Sequence, residues 1–190
     1  MSVFAVSMAW GEKYHRCIPR FKRSLERYGI PHRIVEIGGE PRHVMEARRF
    51  KPTIILDWME KVGSPVSWVD VDSEVLEYPA ELDGWAGGDI RACKPEGSYR
   101  WWSNCISFSS SKKSVETLER WQELLADRDW PLDEEALLAS IQDVKPTIVP
   151  LSESYVWCEP WMRPIHADGR PVILHGGISK ETWDTEDWEA

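Results

Sequence analysis

"WVDVDSEVLEYP", residues 68–79, places two aspartates one residue apart at the end of an apolar run that otherwise reads as a buried strand. Neither carboxylate can be buried there without a cation to balance it. Where a strand bends into a loop, two carboxylates so spaced can approach one hard divalent ion that also holds phosphate oxygens. The plainer alternative is that Asp70 or Asp72 caps the following turn.

The segments upstream decide the context. "SVFAVSMAW" (2–10) has the content of a buried strand, and "KYHRCIPRFKRSLERYG" (13–29) carries Cys17, Ile18, Phe21, Leu25 and Tyr28 near helical spacing, with Gly29 as a stop. "PHRIVEIGG" (31–39) is a second strand, and "HVMEARRFKPTIILDWMEKVG" (43–63) is helical, with Pro52 marking a start or a kink. "PVSWVDVD" (65–72) is the third strand. This alternation predicts an α/β fold: one domain with a mixed, mostly parallel, Rossmann-like sheet flanked by helices. Ligands of such sheets gather outside the carboxyl ends of the strands, which is where Asp70 and Asp72 fall.

Downstream, "DIRACK" (89–94) and "CISFSS" (105–110) read as short strands and "SVETLERWQELLAD" (114–127) as a helix with Ser114 as its cap. "LDEEALLASI" (132–141) is a second helix with its acids in the first turn, where the macrodipole favours them. "KPTIVPLS" (145–152) and "PVILHGG" (171–177) are late strands. The domain is expected to span 1–183, followed by an acidic tail at 184–190.

At 190 residues the chain has room for one domain and a substantial core. It shows no apolar run long enough to cross a bilayer and no secretory leader, so a cytoplasmic protein without stable membrane insertion is expected. The four cysteines are spread with no C-x-x-C pair, which argues against a zinc or dithiol site. A net charge of -9 disfavours non-specific attraction to nucleic acid or anionic membrane; an anionic ligand would need a metal ion or a few placed cations. Twelve tryptophans against four phenylalanines suit either a Trp-rich core or indoles that stack on sugars or bases.

Three functional readings compete for the aspartate pair. A calcium loop fails because Val75 stands where a glycine is required. A phosphohydrolase with Asp70 as nucleophile and Asp72 as acid/base is weakened by "DSEV" and by the pair's late position in the chain. The third is a metal–diphosphate site for a nucleotide-sugar. "VSWVDVDSEVLEYP" resembles the D-x-D segment of GT-A glycosyltransferases, especially family 8 and related nucleotide-diphospho-sugar transferases. The resemblance follows the same order along the chain: "FAVSMAWGEKY" for the nucleotide-binding start, "EARRFKPTIILDWM" for the helix before the D-x-D, "WWSNCISFSSSKKSVETLERW" for the Asn-containing strand, "PLDEEALL", and "ILHGGISKETW" for the closing motif, with His175, Gly177 and Lys180. Glu181 and Thr182 replace the family's proline before Trp183, and no glycine follows Asn104.

The resemblance implies a transfer with retention from a nucleotide-diphospho-sugar, UDP-linked, with Mn2+ or Mg2+ held by Asp70, Asp72 and His175. It implies donor contacts from Ser7, Trp10, Tyr14, Arg48, Lys51, Asp70, Asp89, Asn104 and Lys180, and places Asp133 and Glu134 near the reacting sugar. Each has a plainer reading: Asp133 as an N-cap, Glu134 as a helix-dipole partner, His175 as a hydrogen-bonded structural residue, Trp10 and Tyr14 as core, Lys180 as surface. The acceptor stays open among saccharide, lipid-linked sugar, protein and modified DNA base. The alternatives are a Trp-rich carbohydrate-binding or catalytically degenerate protein and a sugar-phosphate nucleotidyltransferase; the latter lacks its Gly-rich loop in "VSMAWGEKYHR".

Overall fold

A computed structural model describes residues 3–42, 44–63, 65–85, 87–127, 130, 132–158 and 170–176. The three apolar runs of the amino-terminal half become β1 (Phe4–Trp10), β2 (His32–Ile37) and β3 (Val66–Val69). β1 pairs in parallel with both others. Parallel neighbours need crossovers, and the helical segments supply them.

Each of these segments is split by a proline. The first forms α1 (Glu12–His15) and α2 (Ile18–Arg27), with Pro19 in the first turn of α2. The second forms α3 (Val44–Arg48) and α4 (Lys51–Val62), with Pro52 in the first turn of α4, so Pro52 marks a helix start rather than a kink. Proline lacks an N–H but that donor is unused in a first turn, which is why it starts helices and cannot continue them.

Two later strands, β5 (Ile90–Ala92) and β7 (Ile148–Pro150), run parallel to one another, and β6 (Cys105–Phe108) lies antiparallel between β3 and β5. The sheet therefore has the order β2-β1-β3-β6-β5-β7 with β6 alone reversed. β5 reaches β6 through a loop with no crossover helix, as an antiparallel pair permits.

Side chains alternate across this sheet, and helices cover both faces. Phe21 and Leu25 of α2 pack with Ala5, Ala9 and Val69 on one face. On the other, Ile55 and Met59 of α4 pack with Val6, Val66 and Trp68, alongside Leu118 and Trp121 of α5 (Lys112–Asp127) and Leu137 of α6 (Asp133–Val144). All four β3 residues are buried, which is why this strand reads as a continuous apolar run. The one polar residue within it, Ser67, meets Ser107 of β6 hydroxyl to hydroxyl at 2.6 Å.

A second, three-stranded sheet joins β4 (Glu74–Val75), β9 (Ile173–His175) and β8 (Trp157–Cys158). β4 and β8 have two residues each and no periodicity for a sequence pattern to reveal. β9 pairs antiparallel to β4 directly after the D-x-D turn, which brings His175 against Ser73 and Gly176 against Asp72.

Ser114 does not cap α5. The helix begins two residues earlier, Ser111 Oγ accepts the Ser114 N–H at 3.2 Å, and the Ser114 hydroxyl donates to the Asp89 carbonyl.

Candidate active-site cleft

A cavity of about 190 Å3 opens at the carboxyl ends of β1 and β3. Trp10 and Tyr14 line it from the end of β1 and from α1, Arg48 and Lys51 from α3 and α4, and Asp70 and Asp72 from the turn after β3. Asn104, Cys158 and His175 complete the wall. Of the residues expected at the donor or metal site, eight thus converge on one cleft.

The D-x-D turn is held by backbone bonds from several sides. The Asp70 N–H donates to the Asn104 carbonyl at 2.9 Å, and the Asp70 carbonyl accepts from Ser73. The Asp72 carbonyl accepts from the Gly176 N–H and from Arg20 Nη2, both at 3.1 Å. Both aspartates line the cavity. The Trp68 indole donates to Asp70 Oδ1 at 2.6 Å. Burial pushes the Asp70 carboxyl above its ordinary range, Lys51 opposes the rise and the like charge of Asp72 adds to it. Tyr14 is pushed up to about 12 by burial and then by Asp72 and Asp70, so its phenol is neutral.

Lys51 is the electrostatic centre of the cleft. It is 5% exposed, and its Nζ lies 3.1 Å from Asp133 Oδ2 and 3.5 Å from Asp70 Oδ1. It donates to the Ser103 hydroxyl at 2.9 Å and the Ser103 carbonyl at 3.2 Å, and sits 5.3 Å from the centre of the Trp68 ring. Burial works against its charge, but Asp133, Asp70 and Glu134 together hold its pKa above the usual lysine value. Arg48 approaches the other oxygen of Asp133 at 3.7 Å.

Asp133 is not the N-cap of α6. Leu132 holds that place, and Asp133 is the first helical residue, 1% exposed. Burial would raise its carboxyl; Lys51, Arg48 and the Ser103 hydroxyl hold it below the usual carboxylate range. Its backbone carbonyl accepts from the Trp121 indole at 3.0 Å, which ties the site to the core. Glu134 is half-buried beside it and raised to about 7, by burial first and then by Asp133.

His175 lines the cavity but both ring nitrogens are engaged. Nε2 faces the Tyr155 carbonyl at 2.9 Å, an acceptor only, so the proton is assigned to Nε2. Nδ1 then accepts from the Ser73 hydroxyl at 2.6 Å. As placed, His175 ties β9 to the D-x-D turn; to ligate an ion, Nδ1 has to give up Ser73.

Two expected donor residues lie elsewhere. Ser7 is buried on the face of β1 opposite Met8 and Trp10, and its hydroxyl lies outside the cavity. Asp89 precedes β5 at the amino end of that strand, the far end of the sheet from Asp70, where it accepts from the Ser111 hydroxyl and the Thr147 N–H. Alternation along β1 excludes Ser7 from the cleft, and strand direction, which tertiary pairing decides, excludes Asp89. Asn104 is present, its side-chain oxygen accepting from the Cys105 N–H. Lys180 lies outside the described residues, as do Trp183 and the 184–190 tail. Sequence reasoning missed Ser103, Trp68 and Arg20; only the neighbourhood of Ser103 to Asn104 in "WWSNC" hinted at the first.

The donor set suits a hard divalent ion at the level of two carboxylates. Asp70 and Asp72 face one cavity and repel each other, and ions such as Mg2+ are commonly held by one or two carboxylates with the remainder from phosphate and water. Among the described residues, no group of three or more His, Cys, Asp or Glu converges to hold an ion.

No protein-family model matches the chain, and no curated protein matches it in sequence. Among solved structures it is similar to the crystal structure of a glycosyltransferase involved in the glycosylation of the major capsid of PBCV-1. The TM-score is 0.72 at 13% identity, covering 92% of each chain. What is shared at that identity is the fold: the mixed sheet flanked by helices expected from the sequence is the GT-A-like architecture. Among the described residues no helix is long and apolar enough to cross a membrane.

Proposed function

We propose that this chain is a GT-A glycosyltransferase that moves a sugar, with retention, from a nucleotide-diphospho-sugar, UDP-linked, to an acceptor. The observation that carries the reading is the convergence of the D-x-D turn, the Arg48–Lys51 wall and Asn104 on one cleft at the carboxyl ends of β1 and β3, in a fold shared with a glycosyltransferase. Asp70 and Asp72 would hold Mn2+ or Mg2+, which as a Lewis acid stabilises the negative charge that develops on a departing diphosphate.

The chain's own residues do the rest. Arg48, about a third exposed at the cavity wall, is the cation that a donor phosphate can reach, whereas Lys51 is buried and balanced by Asp133 and Asp70. The Trp10 indole N–H is buried with no partner among the described residues, a donor aimed at no protein acceptor, and with the neutral Tyr14 ring it offers a stacking place for a base. Asp133, held ionised by its cations, is suited to accept hydrogen bonds from sugar hydroxyls. Lys180 remains the residue proposed to reach the diphosphate, and the cytoplasm the proposed location.

Calorimetric titration of UDP with and without Mn2+, followed by a panel of UDP-sugars scored for slow hydrolysis, tests the reading. Metal-dependent UDP binding is expected, lost by at least tenfold in Asp72→Ala while the melting temperature stays within a few degrees. Binding of free oligosaccharide with indifference to nucleotide would replace the transferase by a carbohydrate-binding module. A subsequent acceptor screen covers saccharide, lipid-linked sugar, protein and modified DNA base.

A further inference from the structure

Ser103, at the end of the β5–β6 loop, is 1% exposed and meets three ionisable side chains at once. Its Oγ lies 2.9 Å from Lys51 Nζ, 2.9 Å from Asp133 Oδ2 and 3.3 Å from Glu134 Oε1. A hydroxyl has one proton to give and two lone pairs to receive. Lys51 has no lone pair when charged, so it donates to Oγ. The hydroxyl proton goes to Asp133, the nearer carboxylate and the one its cations keep ionised. One lone pair on Oγ remains, facing Glu134. An ionised Glu134 would set oxygen lone pairs against each other at that contact, whereas a protonated Glu134 donates into it and completes the network.

We propose that Ser103 is a positioning residue of the cleft: its hydroxyl divides the two carboxyls at the head of α6 into an ionised Asp133 and a protonated Glu134, so that Glu134 serves as a hydrogen-bond donor beside the cationic wall. The role beside the donor rests on the transferase reading; the division of charge does not. The charged groups that bear on Glu134 are Asp133 from its own helix, Lys51 from α4 and Arg48 from α3. Asp133 favours the protonated form and the two cations oppose it, while burial disfavours a charge in either case. The pKa of about 7 agrees with the hydrogen count.

The test is the titration of Glu134 followed by 13C NMR of carboxyl-labelled glutamate, with no nucleotide or metal present; Glu134→Gln identifies the resonance by removing it. In the wild type it should titrate near pH 7, well apart from the exposed glutamates at about 4.3. Ser103→Ala should lower the midpoint by at least roughly one pH unit, tenfold in proton affinity, and Ser103→Thr, which keeps the hydroxyl, should bring it back. If Ser103→Ala does not fold, Ser103→Cys is read in the same way, its weak S–H being a poor substitute in both directions. A wild-type midpoint among the ordinary glutamates, or one that Ser103→Ala leaves in place, overturns the proposal. A protein that titrates as expected but does not bind UDP with metal supports the division of charge and sinks the transferase reading instead.

Discussion

Lys51 shows how a single residue organises this cleft. A buried ammonium is costly unless its charge is balanced and its protons placed, and Lys51 meets both conditions through Asp133, Asp70 and Ser103. Its position in the first turn of α4 runs against the helix dipole, which disfavours cations there, so the carboxylates must offset that too. Asp133, in the first turn of α6, is favoured by the dipole it faces. Lys51→Met should therefore destabilise the protein by about 3–5 kcal/mol in urea denaturation, because it strands Asp133 without its nearest cation. Adding Asp133→Asn should restore a large part of that loss; no recovery would mean that Lys51 acts through packing alone. None of this was legible beforehand. The resemblance set Lys51 of "RRFKPT" among the donor contacts, but its burial depends on carboxylates 19 and 82 positions away in the chain.

At the scale of elements, periodicity carried the reading furthest where elements are long. α5 and the segments around α2 and α4 show their buried faces in the sequence, and the proline breaks only divide them. Shorter pieces carry no such signal: β4 and β8 exist because β9 pairs with both, not because their residues prefer strands. The helix ends also differ in quality. α4 closes on Gly63 at φ 60, whereas α6 closes in the same left-handed conformation on Lys145 at φ 56. A side chain there is strained by roughly 1 kcal/mol where glycine is not. Lys145→Gly is thus expected to raise the unfolding free energy by up to about 1 kcal/mol, read as a higher urea midpoint at an unchanged slope. A neutral or lower midpoint would show that the Lys113 ammonium bound to the Lys145 carbonyl already relieves the strain.

The whole molecule couples the cleft's protonation to its stability. Glu134 is raised to about 7 in the folded protein from an ordinary 4.5, so the folded state holds this proton more tightly than the unfolded chain. Its contribution to stability is complete below the unfolded value and is lost as pH rises through about 7. Asp133, lowered, contributes in the opposite sense: its share is present at neutral pH and disappears on acidification below about pH 4. Urea unfolding from pH 5 to 7.5 should show wild-type stability declining with pH and Glu134→Gln largely flat over the same window; parallel curves would place the slope elsewhere. By itself the sequence determined the alternation of strand and helix, the closure of β3 by Asp70 and Asp72, and the side of the sheet on which a ligand gathers, because these follow from local periodicity and from the fact that charges do not end a buried strand idly. Tertiary structure alone decided the reversal of β6, the exclusion of Asp89, the engagement of both nitrogens of His175 and the burial of Lys51 between carboxylates. Those depend on which distant segments pair, and no local pattern encodes that.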